Sequence, residues 1–180
     1  SANYDINDVL SVLCRKLITR HTHIFGDTKA ENKEEALRAW ENAKAAEKGQ
    51  ELFSDKLEAI ASNLPSLIRA FKVQKTAKKS GFDWKDITGA VDKVNEELNE
   101  LLEADQSHRE EEGGDLLFAA VNVLRFMDIN PELALNRTIE KFMRRFKYME
   151  KGITKAGKKL EECTLEEMDR YWEESKNEDR

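Results

Sequence analysis

Two acidic runs hold the chemistry open to this sequence: Glu96-Glu97-Leu98-Asn99-Glu100 and Glu112-Gly113-Gly114-Asp115. Residues three and four apart on a helix share a face. Glu97 and Glu100 therefore point one way, as do Glu112 and Asp115. Eleven residues, 101–111, separate the runs. That is room for the end of one helix, a turn and the start of the next. Folded back as an antiparallel hairpin, the helices turn four carboxylates toward one another. Such a cluster repels itself unless a cation sits within it. A hard ion such as Mg²⁺ takes oxygen ligands of this kind, keeps several waters and engages substrate phosphates.

Most Glu-rich helix faces are simply solvated. Two features distinguish these. Val94, Leu98, Leu101 and Leu102 flank the first run, and Leu116, Leu117, Ala120 and Val121 the second. The acids thus lie at or beside a buried stripe. Gly113-Gly114 also interrupts a strong helical pattern, at roughly 1 kcal/mol per glycine against alanine. Close approach of a ligand or another backbone is a reason to tolerate that cost.

Periodicity places these runs among helices. The pattern predicts a helix over residues 5–20, with Ile6, Val9, Leu10, Leu13 and Leu17 on one side, and a loop over 21–30. A polar helix is expected over 32–48, then a mobile linker over 49–62. Pro65 suits the first turn of the next helix, which ends near Ser80-Gly81. Asp83 is the expected N-cap of the first acidic helix, 84–104. The second acidic helix is expected over 109–127. Asn130-Pro131 reads as cap and first turn of a helix over 131–151. Thr164-Leu-Glu-Glu167 reads as a capping box for a last helix holding Tyr171 and Trp172. The expected fold is all-α, a four-helix bundle over residues 64–151.

Composition narrows the class. The chain has 180 residues, 37% charged and 39% hydrophobic, with two prolines. A helical protein follows from the near absence of β-branched runs. No apolar stretch is long enough for a membrane span, and no signal peptide opens the chain. Cys14 and Cys163 lack metal spacing and read as reduced thiols of a cytoplasmic protein. The net charge of −6 argues against nonspecific nucleic-acid binding. It leaves room for an anionic small substrate, since local cations and a metal reverse the field.

Cations stand near the acids. Lys93 lies four residues before Glu97, on its face, and Lys141 and Arg145 are four apart on theirs. Arg and Lys of this sort bind phosphates, although single ones are more often surface salt bridges. Trp172 is suited to stack on a base or to fill a core. His21, His23 and His108 show no zinc spacing. Asp105-x-x-His108 is only an imperfect half of a di-iron pair. A short echo, Lys16-Leu-Ile-Thr-Arg20 against Lys141-Phe-Met-Arg-Arg145, follows a similar apolar helix in each case.

Taken together, these residues resemble the MazG family of nucleoside triphosphate pyrophosphohydrolases, marked by E-E-x-x-E, a spacer and E-x-x-D. Further matching stretches are Asn63-Leu-Pro-Ser-Leu-Ile-Arg-Ala70, Gly81-Phe-Asp-Trp84, Gly114-Asp-Leu-Leu-Phe-Ala119, Val121-Asn122 and Lys141-Phe-Met-Arg-Arg-Phe146. Arg20-His-Thr-His-Ile-Phe-Gly-Asp27 resembles the end of the first of two tandem MazG domains. The resemblance implies residues 1–50 as the remnant of a preceding domain with a connecting helix, 51–62 as a linker, and 63–180 as the catalytic domain. It implies Mg²⁺ ligands Glu97, Glu100, Glu112 and Asp115, with Mn²⁺ the alternative ion. It also implies a nucleotide site of Lys93, Glu96, Arg109, Glu111, Lys141, Arg145 and Trp172, and completion of the bundle by a homodimer. The spacer is short for the family, and His108-Arg109 stands where a lysine is usual, so Arg109 is the weakest match.

The expected activity is Mg²⁺-dependent hydrolysis of nucleoside triphosphates to monophosphate and pyrophosphate, a house-cleaning of the nucleotide pool. Glu97 or Glu100 is expected to orient the attacking water. Attack at the α-phosphorus follows from the resemblance alone. The alternatives are a non-catalytic nucleotide-binding regulatory module, and a helical scaffold with solvated acids.

Overall fold

The computed structural model describes residues 5–26, 29–47 and 52–178, and every regular element among them is helical. The helices are α1 (Ile6–Arg20), α2 (Thr22–Phe25), α3 (Lys33–Glu47), α4 (Phe53–Glu58), α5 (Ser66–Lys78), α6 (Ile87–Glu103), α7 (Arg109–Phe126), α8 (Pro131–Lys155) and α9 (Leu165–Glu178). A 3₁₀ turn, Leu160–Glu162, precedes α9. The chain folds as two compact units, Ser1–Ser62 with Lys75–Asp83, and Asn63–Gln74 with Trp84–Arg180. The expected domain boundary at residue 50 falls outside the described residues, as does Asp27 of the tandem-domain motif.

In the first unit, α1 opens on a reciprocal cap. Asp5 Oδ1 accepts from the Asp8 amide at 2.9 Å, and Asp8 Oδ2 from the Asp5 amide at 3.0 Å. These bonds satisfy donors that every helix start leaves over. α1, α2 and α3 pack on one another. Arg20 ties α1 to α3 through Glu47 at 2.8 Å and lies over the Trp40 ring. Leu10, Leu13 and Leu17 remain about half exposed. Two sequence expectations change here. The loop expected over 21–30 contains α2, and the linker expected over 49–62 contains α4. Each is a single turn or so, and α4 is stapled by Asp55 Oδ2 accepting from the Leu52 amide at 2.8 Å. Hydrophobic periodicity has too few residues to register such elements.

The second unit holds the acidic helices. α6 packs along α7, and α8 along α9. Its buried apolar residues include Ala90 of α6, Ala119 and Val121 of α7, and Met149 and Ile153 of α8. Small side chains at Ala90 and Ala119 allow α6 and α7 to approach closely. α5 joins this unit through Gln74, whose Nε2 donates to the Phe118 carbonyl of α7 at 2.8 Å. The N-cap of α6 is Asp86, not the expected Asp83: Asp86 Oδ1 accepts from the Thr88 amide at 2.9 Å. Asp83 instead faces Lys78 at 3.6 Å. The Trp84 ring lies where a Cβ on Gly89 would come within 2.2 Å of it. That packing keeps residues 84–86 out of the helix.

α8 begins as expected, with Asn130 Oδ1 accepting from the Leu133 amide at 3.1 Å and Pro131 in the first turn. It runs to Lys155, one turn beyond the expected end at 151. Gly157, at φ +78°, supplies the stop. The Lys158 amide donates to Ile153 and the Gly157 amide to Thr154, which is the Schellman pattern that glycine favours. The Thr164 box opens α9 as expected. Where α8 crosses α9, a Cβ on Gly152 would stand 2.6 Å from the Tyr171 ring. Gly152→Ala is therefore expected to lower stability by about 1–3 kcal/mol through overpacking. Urea unfolding checks this; an unchanged midpoint would mean that the ring swings aside at no cost.

Candidate metal centre

The seam between α6 and α7 brings three of the four expected acids together. One carboxylate oxygen each from Glu97, Glu112 and Asp115 lies within 4.8 Å of the others. α6 supplies Glu97 from the same buried seam as Ala90, at multiples of the helical repeat. α7 supplies Glu112 in its first turn, alongside Glu110 and Glu111. Negative charge there is favoured by the helix macrodipole, so this acidic run is also a good helix start. Asp115 follows on the same face.

Glu97 is 4% exposed. Burying a carboxylate costs several kcal/mol unless it is paired. Lys93, one turn earlier, places Nζ 2.5 Å from Glu97 Oε1 and 2.7 Å from Glu96 Oε1. Hydrogen bonds to Glu96 and then Glu97 hold the Lys93 ammonium well above its ordinary pKa. The second oxygen, Glu97 Oε2, is buried with no hydrogen-bond partner. Glu100 is not one of the three convergent acids, but its carboxyl lies against Glu97. Dehydration first, then the Glu97 charge, raises the Glu100 pKa above the usual carboxylate range.

These observations fit a divalent cation. All the donors are oxygen, the choice of a hard ion. A buried acceptor without a donor is what an ion would satisfy. Glu100, raised by dehydration and by the neighbouring Glu97 charge, sits where a cation would offset the repulsion.

The other expected site residues are placed as follows. Arg109 Nε donates to the Ala104 carbonyl at 3.2 Å, closing the C-terminus of α6. Glu111 is exposed at the start of α7. Lys141 lines an open groove on α8. Trp172 of α9 packs on Phe142 of α8, ring centroids 5.1 Å apart. Arg145, also on α8, is partly buried. Cβ atoms built on Gly113 and Gly114 meet nothing within 4 Å. The close backbone approach that those glycines suggested is thus absent among the described residues, and the flank of α7 there is open.

Two polar contacts that hold α7 were given no role in the sequence reading. Gln74 is buried and grips α7 one turn past Asp115. Asn122 and Arg125, both buried, bond to each other at 2.7 Å through Nε and Oδ1 further along α7. A polar residue inside the apolar stripe of α5 was the available signal for Gln74.

An all-α chain with convergent carboxylates in a helical hairpin defines the class. No protein-family model matches the chain. Curated relatives do. The nucleoside triphosphate pyrophosphohydrolase/pyrophosphatase MazG of Thermotoga maritima is 45% identical over 177 residues, 98% of this chain and 68% of that protein. The nucleoside triphosphate pyrophosphohydrolase of Escherichia coli K12 is 40% identical over 182 residues, 98% of this chain and 69% of that protein. A Bacillus subtilis protein named uncharacterized protein YabN is 41% identical over 182 residues, again 98% of this chain but 37% of that protein. The chain belongs to the MazG family of nucleoside triphosphate pyrophosphohydrolases.

Proposed function

We propose that this chain hydrolyses nucleoside triphosphates to nucleoside monophosphate and pyrophosphate, using Mg²⁺ held by Glu97, Glu100, Glu112 and Asp115. The convergence of Glu97, Glu112 and Asp115, with one Glu97 oxygen buried and without a hydrogen-bond partner, carries this reading. Family membership supports the choice of substrate. A bound divalent ion supplies charge neutralisation and Lewis acidity at the phosphates; Mn²⁺ has the same hard-oxygen preference.

The chain's own groups supply the remainder. Glu97 or Glu100 orients a water and accepts its proton. The water oxygen bonds to the α-phosphorus, the bond from that phosphorus to the bridging oxygen breaks, and the oxygen leaves with its electron pair on pyrophosphate. Lys93 holds the acids in place and balances their charge. Lys141 and Arg145 bind the phosphates, Trp172 contributes its ring to the nucleoside, and Glu96, Arg109 and Glu111 complete the rim. A second copy of the chain closes the site as a homodimer, with residues 63–180 as the catalytic domain. No described helix is long and apolar enough to cross a membrane, and both cysteines are free thiols; we assign the protein to the cytoplasm.

The deciding experiment is pyrophosphate release from a panel of triphosphates, with Mg²⁺ and with chelator. Mg²⁺-dependent release supports the reading; triphosphate binding without release would make the chain a regulatory module instead. Lys141→Ala and Arg145→Ala should weaken nucleotide binding roughly tenfold to a hundredfold, the scale of a lost charge-assisted hydrogen bond, and leave Mg²⁺ binding nearly unchanged. Titration calorimetry with a nucleotide checks this, and unchanged affinities in both variants would remove the pair from the site.

A further inference from the structure

Trp84 stands just ahead of α6, and its ring folds forward over the first turn of that helix. The turn is fixed by its cap, Asp86 Oδ1 accepting from the Thr88 amide at 2.9 Å. The pyrrole edge of the indole, with Cγ, Cδ1 and Nε1, occupies the place where a Cβ on Gly89 would stand. Glycine is a poor helix former, so this position gives up helix propensity to seat the ring. Yet the ring is not hidden, for Trp84 remains 43% exposed. A tryptophan that serves packing alone is on average buried more deeply.

The flank on which the ring sits is that of the acids. Gly89, Lys93, Glu96 or Glu97, and Glu100 follow one another at intervals of three and four, so they share one side of α6. Along the axis the order is ring, ammonium, carboxylates. Lys93 lies about 6 Å and Glu97 about 12 Å beyond Gly89, with Lys93 Nζ turned toward Glu96 at 2.7 Å and Glu97 at 2.5 Å. A metal–nucleotide complex has its parts in the same order: a flat base, a sugar with its phosphates, and a divalent ion.

We propose that Trp84 is a stacking platform for the nucleobase of the bound triphosphate. The proposal rests on the reaction assigned above, which sets what binds at the acids. Every base has a π face, so stacking of this kind gives affinity across bases. Purines gain more than pyrimidines, because more ring area overlaps the indole.

The test titrates three ligands with Mg²⁺ into the wild-type chain, Trp84→Leu and Trp84→Phe. They are the α,β-methylene analogues of ATP and CTP, which resist this cleavage, and inorganic tripolyphosphate. Circular dichroism verifies helical content. Trp84→Leu should lose roughly tenfold to a hundredfold in affinity for the ATP analogue, less for the CTP analogue and little for tripolyphosphate. Trp84→Phe should recover part of the loss. Gly89→Ala, which denies the ring its seat, should give the same ranking of ligands. A further reading needs no change at Trp84. In a chain whose sole tryptophan is Trp84 (Trp40→Phe with Trp172→Phe), the ATP analogue should quench the fluorescence and tripolyphosphate should not. Absence of that quench at saturating analogue overturns the inference. So does an equal loss for tripolyphosphate and the ATP analogue in folded Trp84→Leu, or no loss at all. If the wild-type chain still releases pyrophosphate from triphosphates in those cases, the assigned reaction stands and the ring only packs. If the analogues bind through Trp84 but no triphosphate is cleaved, the reaction fails and the platform remains.

Discussion

Replacing Glu97, Glu112 or Asp115 by Ala is expected to cut Mg²⁺-dependent pyrophosphate release by roughly a hundredfold or more. Loss of one preorganised electrostatic contact at a reacting centre commonly costs 10²–10³. The same variants should lose the rise in thermal midpoint that Mg²⁺ gives the wild-type chain, because only an ion that binds the folded state stabilises it. Helical content should be retained. Glu112 and Asp115 lie on the intermediate and exposed sides of the cluster, and their removal relieves repulsion in the metal-free protein. Glu97 differs. Its loss strips Lys93 of its 2.5 Å partner, but Glu96 still holds the ammonium at 2.7 Å. Glu97→Gln is the cleaner variant, since it keeps the shape and removes the charge. Glu100→Ala should also lose turnover, with a smaller loss of ion binding, as Glu100 stands outside the convergent three. Two or more of the Ala variants with near-normal turnover would sink the site.

The acid cluster was legible because helical periodicity is a strong signal and hairpin geometry then follows from a short spacer. The caps at Asn130 and Thr164 were legible because they depend on local bonds. Asp83 and Asp86 illustrate the limit. Either aspartate suits an N-cap locally, and the choice is made by Trp84 packing over Gly89 and by Lys78 facing Asp83. Those contacts are tertiary. The one-turn helices α2 and α4 were missed for a related reason, since their stability comes from caps and neighbours rather than from a repeating pattern. At Gly113 and Gly114 the reasoning ran from cost to cause, and the flank beside them is open. The roles of Lys141, Arg145 and Trp172 came from the family resemblance. Spacing alone places Lys141 and Arg145 on one face of α8 without saying what that face meets.

Leu98→Asp with Leu102→Asp is expected to convert a dimer to a monomer and to lower turnover at least tenfold, with Mg²⁺-induced stabilisation retained. The argument begins with α6. Its buried seam holds Ala90 and Glu97. Beside that seam, Ile87, Val91, Leu98 and Leu102 recur at helical intervals and are 37%, 40%, 43% and 73% exposed. Leu117 and Phe118 of α7 are also exposed, at 61% and 43%. A chain rarely leaves so many large apolar side chains of one helical hairpin in water without a partner. Burial of each is worth about 1.5–3 kcal/mol, so two aspartates in the stripe oppose association both by lost burial and by charge. The acids belong to a single chain's hairpin and should still take the ion in the monomer. Under the proposed homodimer, in which a second copy closes the site, turnover should fall with the loss of that copy. Light scattering gives the mass, and pyrophosphate release and Mg²⁺-dependent melting give the two functions on the same samples. A wild-type chain that is monomeric and active, or a monomeric variant with full turnover, would show that one copy suffices.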